Sequence, residues 1–201
     1  NSGTLCGNVA NGSPIGDSAP ALLALDASVV LRKGVRVRRM PLAEFVVDYM
    51  KNRLEPGELL QAIEVPPPPA GLAVRSWKIS KRYDCDISAL CTGFGVVVDA
   101  QGDTHGVVRH VRLAYGGMAA TVKRAANAEA EVVNQPWTEA TMRAAQAALE
   151  RDFTPLTDVR ASSAYRLTTA RNLLERFWLE TRMDNPLDAA VTSVWATTDP
   201  P

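Results

Sequence analysis

The stretch Ile87-Ser88-Ala89-Leu90-Cys91-Thr92-Gly93-Phe94-Gly95-Val96-Val97-Val98 runs almost without interruption through apolar and small residues. It reads as a strand, and the turn residue Gly102 follows it. Upstream, residues 72–81 alternate about Val74 and Ile79. Downstream, residues 107–115 alternate again, with Val108, His110 and Arg112 interleaved among Val107, Val111 and Leu113. Three such runs with short connections predict an antiparallel sheet. Helical periodicity then takes over. Residues 123–133 are rich in Ala and Glu, and residues 139–151 put Met142, Ala145, Ala148 and Leu149 on one face. Over residues 164–182 a stripe of Leu167, Ala170, Leu173, Leu174, Phe177 and Trp178 predicts a long helix. Strands followed by helices predict an α+β fold, with the helices on one face of a three-stranded sheet. After about Asp184 the pattern fades, and a poorly ordered tail is expected.

Ahead of the sheet, four consecutive prolines at 66–69 forbid helix or central strand and favour polyproline II. A boundary is expected there. Residues 59–65 read as a strand, and residues 27–32 and 35–39 as two more about the turn residue Gly34. Val35 and Val37 alternate with Arg36 and Arg38, as in a half-exposed strand. Pro41-Leu42-Ala43-Glu44 opens a short helix reaching about Tyr49. Asp17 or Ser18 reads as an N-cap, with Pro20 in the first turn and the apolar residues 21–25 behind it. Residues 1–19, rich in Gly, Asn and Ser, predict a loop.

Composition narrows the function classes. The 201 residues carry 22 Lys+Arg against 22 Asp+Glu, which leaves no surplus of cations for a phosphate backbone. The same balance gives no polybasic signal for an anionic membrane surface, and no apolar run approaches the roughly 18–20 residues of a spanning helix. Neither nucleic acid nor membrane is an expected partner. At 46% hydrophobic and 22% charged, the chain is too apolar for a disordered one. Its start, Asn-Ser-Gly-Thr, has no Met, basic region or apolar core of a leader, so a piece of a longer protein is expected. Cys6, Cys85 and Cys91 lack CxxC or zinc spacing, and the two histidines, His105 and His110, sit in no metal pattern. The thiols are read as reduced and intracellular.

Four segments carry candidate chemistry. Gly3-Thr4-Leu5-Cys6-Gly7-Asn8, continuing through Asn11-Gly12-Ser13-Pro14-Ile15-Gly16-Asp17, offers close backbone approach, uncharged donors and a following helix N-terminus. That set suits a pyrophosphate, although it is neither a Walker loop nor GxGxxG after a strand. An ordinary turn before a helix explains the same residues. In residues 78–88, cations and carboxylates alternate between two strands, which suits either a ligand-facing or a solvated loop. Gly116-Gly117 permits tight approach of a strand end to a neighbour. Residues 152–162 form a loop between helices in which Asp158 and Arg160 are able to pair. No nucleophile–base set and no glycosidase-like carboxylate pair stands out.

Taken together, the four segments resemble the flavoprotein part of the molybdenum hydroxylases, and most of all the bacterial xanthine dehydrogenase small subunit. Residues 4–17 resemble that family's second FAD motif. Ser80-Lys81-Arg82, then Asp84 and Asp86-Ile87-Ser88, resemble its flavin-side loop. Tyr115-Gly116-Gly117-Met118-Ala119, Lys123-Arg124-Ala125, and residues 152–162 followed by Tyr165-Arg166 match its C-terminal domain. The likeness covers roughly residues 1–180, in the family's order.

The resemblance implies the second half of a two-subdomain FAD-binding domain over residues 1–66. It further implies the flavoprotein C-terminal domain over residues 71–182, with residues 183–201 as a tail. It implies a cytoplasmic enzyme in which a molybdopterin centre hydroxylates a purine, [2Fe–2S] clusters relay electrons, and FAD passes a hydride to NAD+. Thr4, Leu5, Cys6, Gly7, Asn8, Asn11, Ser13, Ile15 and Asp17 would bind FAD, with Leu60 and Lys78 at further flavin-pocket positions. Residues 82–86 would lie beside the ring. No residue is expected to be catalytic, and none a metal ligand. The implied partners are the upstream iron–sulfur and FAD segments and a molybdopterin-binding large subunit. Cys6 stands where the family has the first Gly of a pair, and Cys85 where bacterial members often carry Gln. Two other readings stay open: a molybdenum hydroxylase for CO, aldehyde or aromatic-CoA substrates, and an assembly module without FAD.

Overall fold

The computed structural model describes residues 3–100 and 104–192. The turn expected at Gly102 and the part of the tail beyond residue 192 lie outside the described residues. The chain begins with two short helices, α1 (Leu5–Ala10) and α2 (Ser18–Ala24), then strands β1 (Ser28–Lys33) and β2 (Arg36–Pro41). A single turn α3 (Leu42–Phe45) leads to β3 (Val46–Asp48), β4 (Lys51–Asn52) and β5 (Leu59–Glu64). β1 is the central strand of an antiparallel sheet in the order β2-β1-β5. Val29 and Leu31 join Val9, Leu23, Phe45 and Leu60 in a small core beneath it.

Two expectations for this half are corrected. Residues 1–19 are not all loop, because Thr4 caps a helical turn there. The helix opened by Pro41 stops at Phe45 rather than Tyr49, since Val46 is already extended (φ −94°, ψ 119°) and Val46 and Val47 favour the β3–β4 hairpin.

β2 is held by charge on both of its faces. Arg38 donates to Glu58 at 2.7 and 2.8 Å, and Arg39 to Glu64 at 3.0 Å. The hydrogen bond from Arg38, with the Glu55 N–H, holds Glu58 at about 2 against an ordinary 4.5. A carboxyl whose folded value is depressed contributes stability above its unfolded value and loses it as pH falls toward the folded one. Glu58→Gln is therefore expected to flatten the fall of Tm between pH 4.5 and 2. Parallel acid melts of variant and wild type would refute this.

The second half opens with β6 (Ala73–Ile79), β7 (Leu90–Asp99) and β8 (Val107–Gly116), antiparallel and adjacent in that order. The expected three strands become four: β9 (Lys123–Arg124) pairs with β8 through Arg124 opposite Ala114. The helix predicted from Lys123 consequently starts later, as α4 (Ala126–Val132). α5 (Glu139–Asp152) and α6 (Ser163–Thr181) follow, capped by the Thr138 and Ser162 hydroxyls. Past α6 the Leu187 N–H returns to Leu179 O at 2.7 Å, and Ala189–Thr192 forms a 3₁₀ turn, so the tail is ordered further than expected. No described helix is long and apolar enough to cross a membrane.

Alternation along β7 explains its unbroken apolar run. Leu90, Phe94 and Val96 point into the large core, where Phe94 meets Phe177 of α6 (ring centroids 5.4 Å) and Tyr115 of β8 (5.0 Å). Cys91, Gly93 and Gly95 point to the opposite face, and α2 lies there. Both faces are covered, so neither needs polar residues. The approach is close because β7 presents only glycine there at 93 and 95. A Cβ on Gly93 would stand 2.2 Å from Pro20 O, and one on Gly116 would stand 3.3 Å from Pro14 O. Behind α2, the Asp26 carboxylate takes the Arg112 guanidinium of β8 at 2.7 Å. The glycine pair read as packing in the sequence does pack: Gly117 (φ 82°) donates its N–H to Pro14 O at 2.7 Å.

Candidate functional site

The Gly-rich segment builds a helix start. Thr4, extended at φ −118° and ψ 152°, accepts the Gly7 N–H on Oγ1 at 3.0 Å. The first N–H groups of a helix have no intrahelical partner and carry positive potential. Gly3, Thr4 and Leu5 are exposed, and a Cβ on Gly3 would meet nothing within 4 Å, so this end opens to solvent. Asn8 Oδ1 accepts the Ser18 hydroxyl at 2.8 Å, tying α1 to α2. Asn11 closes α1 with its N–H on Gly7 O, and Ser13 Oγ accepts the half-buried Ile15 N–H at 3.4 Å.

Asp17 is the N-cap of α2, yet its carboxylate makes no cap bond to that helix. It turns to the larger sheet instead. Lys78 Nζ donates to Oδ2 at 2.7 Å, and the buried Ser88 hydroxyl donates to Oδ1. Cys91 Sγ donates to Asp17 O at 3.6 Å. Lys78 and Cys91 are cross-strand partners on β6 and β7, on the face that α2 covers. The hydrogen bond with Asp17 raises the Lys78 ammonium above its ordinary value, so it stays charged. Burial, reinforced by the Asp17 charge, pushes the Cys91 thiol up to about 12, so it stays neutral.

The predicted residues thus fall into three groups. Thr4, Leu5, Gly7, Asn8, Asn11, Ser13 and Ile15 lie along α1, at its cap and in the turn that leads to α2. Asp17 and Lys78, 61 positions apart, come into contact. Cys6 and Leu60 turn into the small core, where Leu60 is buried and Cys6 packs against its edge. Sequence reasoning missed the Ser88–Asp17 bond. Ser88 stood in the segment that resembles the flavin-side loop, but nothing in the sequence paired it with Asp17.

Loop 80–89 leaves β6 beside this cluster. Arg82 closes it on Asp86, Cys85 takes a left-handed φ of 50°, and Tyr83 and Ile87 are exposed. Between this loop and the residues preceding α6 lies an open cleft of about 600 Å³, lined by Ile79, Ser80, Lys81, Asp158, Val159 and Tyr165. A much smaller space of about 20 Å³ under Asn8, Gly12, Ser13 and Gly16 has room for about one water.

The donors present suit a flavin dinucleotide. An open helix start with Thr and Asn side chains matches a pyrophosphate without a basic patch. The exposed Lys78–Asp17 pair presents both a cation and a carboxylate, suited to the hydrogen-bonding edge of an isoalloxazine.

Residues 1–68 match the family model described as the FAD binding domain in molybdopterin dehydrogenase. Residues 75–181 match the CO dehydrogenase flavoprotein C-terminal domain. The chain is 33% identical over 182 residues to nicotinate hydroxylase hnxS of Emericella nidulans, covering 89% of this chain and 13% of that protein. It is 31% identical over 179 residues to the putative xanthine dehydrogenase FAD-binding subunit XdhB of Escherichia coli K12, covering 88% and 59%. A carbon monoxide dehydrogenase from Hydrogenophaga pseudoflava superposes with a TM-score of 0.77 at 29% identity, over 87% of this chain and 58% of that one. The chain spans less than two thirds of each of these relatives. Matched over more than half its length by the flavoprotein C-terminal model and ahead of that by the FAD-binding model, the chain belongs to the FAD-binding flavoprotein family of the xanthine and CO dehydrogenases, the molybdenum hydroxylases.

Proposed function

We propose that this chain supplies one wall of the FAD site and the adjoining C-terminal domain in a xanthine dehydrogenase-like enzyme of the cytoplasm. In that enzyme a purine is hydroxylated at a molybdopterin centre on a large subunit, and electrons pass through [2Fe–2S] clusters to FAD and on to NAD+. Residues 1–66 complete the FAD-binding domain and residues 71–182 form the C-terminal domain. Upstream iron–sulfur and FAD segments supply the opposite wall.

The observation that carries this reading is the meeting of Asp17, Lys78 and Ser88 at the N-terminus of α2, which Ser18 ties to Asn8 of α1. The α1 N-terminus with Thr4, Gly7 and Asn8 would hold the pyrophosphate, and Asn11, Ser13 and Ile15 would follow the ribityl chain. Lys78 and Asp17 would orient the ring. Leu60 and Cys6 support the loop from the core side and reach a ligand only through their backbone. FAD, when bound, supplies hydride chemistry at its N5. The chain's own residues bind and orient, and loop 80–89 limits access from the ring side. None of them transfers a proton.

A second reading, with another substrate at the molybdenum centre, is favoured by the 33% identity to a nicotinate hydroxylase. The residues of this chain face the flavin, so they serve either reading alike. The deciding experiment is flavin content. Asp17→Ala in the intact protein is expected to lower bound FAD about tenfold, a loss of about 1.4 kcal/mol, while helical circular dichroism is retained. Unchanged flavin content removes Asp17 from the site. If the wild type neither co-purifies with flavin nor gains thermal stability with added FAD, the FAD role fails.

A further inference from the structure

Arg166 is 3% exposed and belongs to α6, where a buried guanidinium needs several partners to offset its desolvation. Its partners are not on its own helix. Nη1 donates to the carbonyl of Ala89 and, at 2.6 Å, to the carbonyl of Gly117, and Nη2 donates to Asp158 Oδ1 at 2.8 Å. The two carbonyls are next to the two anchors of the Gly-rich segment. Ala89 follows Ser88, whose hydroxyl holds Asp17. Gly117 donates its own N–H to Pro14 O at 2.7 Å. The space between them is filled: a Cβ on Gly117 would stand 2.6 Å from Ala89 O and 2.9 Å from Arg166 Nη1.

Asp158 is fixed in turn. Burial alone would raise its carboxyl, but the N–H groups of Arg160 and Ala161 and the Arg166 guanidinium hold it at about 2. It therefore stays an anion well below the ordinary carboxylate range. The Asp158 loop also lines the 600 Å³ cleft.

We propose that Arg166 is a positioning residue that sets the flavin-facing segment 13–18 from the far side of the sheet. One nitrogen of the rigid guanidinium, Nη1, clamps the backbones at Ala89 and Gly117 together. Those backbones deliver Ser88 to Asp17 and the Gly117 N–H to Pro14. Asp158 locks the fork, so the loop before α6 and the Gly-rich segment share one anchor. The clamp is a statement about this chain's own hydrogen bonds. Only its consequence for FAD rests on the cofactor reading above.

The test is amide hydrogen exchange of the ligand-free intact protein, comparing wild type, Arg166→Met and Arg166→Lys. Arg166→Met is expected to speed exchange across residues 13–18 and at Gly117 by about tenfold, with α5 and residues 173–177 changed less than about twofold. Unchanged exchange in 13–18, or equal acceleration in α5, overturns the proposal. If Arg166→Met does not fold, Arg166→Lys decides. A single ammonium keeps the charge but does not span two carbonyls and Asp158, so about threefold faster exchange in the same residues is expected, and none overturns it. A parallel titration with FAD separates the two readings. A wild type that takes up no FAD sinks the cofactor role and leaves the exchange result to judge the clamp. Where the wild type does bind, Arg166→Met is expected to raise the FAD Kd about tenfold, and an unchanged Kd overturns the link from clamp to flavin.

Discussion

Gly93→Ala is expected to lower Tm by about 6–12 °C, because the contact of α2 with the sheet leaves no room for even one methyl group. The added Cβ would stand 2.2 Å from Pro20 O, 2.3 Å from Pro20 C and 2.5 Å from Ala21 N. All three are backbone atoms, so no side chain is able to swing aside. Overpacking of this kind costs about 3 kcal/mol, at the upper end of the usual range. The helix has to lift, and Asp17 at its start leaves Lys78, so flavin uptake is expected to fall with stability. Gly3→Ala is the control, since its Cβ would meet nothing within 4 Å. A melt of Gly93→Ala within 2 °C of wild type would contradict the packing of α2 described here.

Phe177→Ala is expected to cost about 3–5 kcal/mol, or roughly 6–20 °C in Tm. The ring is fully buried and meets Trp77 and Trp137 at 6.3 Å and Phe94 at 5.4 Å. It joins α6 to both β6 and β7. Its removal leaves a cavity bounded by three other rings, which are held by their own packing and collapse poorly. Phe177→Leu refills most of that volume and should recover more than half of the loss in thermal or urea unfolding. Equal losses for Ala and Leu would place the effect in ring contacts rather than in the cavity. The two sites lie on opposite faces of β7, so the double variant should lose nearly the sum.

Much of the fold was legible because it is written in periodicity. The stripe from Leu167 to Trp178 became one face of α6, and the alternation in residues 72–81 and 107–115 became β6 and β8. The misreadings were short elements. Thr4 starts α1 with one side-chain bond, and Lys123-Arg124 becomes a strand because β8 offers an unpaired edge. Six- and two-residue elements carry too little pattern to outvote composition; their partners decide them.

The site divides along the same line. The residues of segment 4–17 could be chosen from sequence, since glycines, small hydroxyls and a helix start are local properties. Their arrangement could not. Asp17 is a good N-cap by type, and local preference would spend its carboxylate on its own helix. β6 and the loop after it deliver Lys78 and Ser88 instead, from 61 and 71 positions away. The sequence by itself determined a packed α+β chain of zero net charge, its strands and long helices, and the identity of its family. Only the tertiary structure decided that α2 lies over the glycines of β7, that Asp17 serves the sheet, and that Arg166 holds both backbones beneath it. Those three facts depend on contacts between distant segments, and no local spacing encodes which distant backbone will be near.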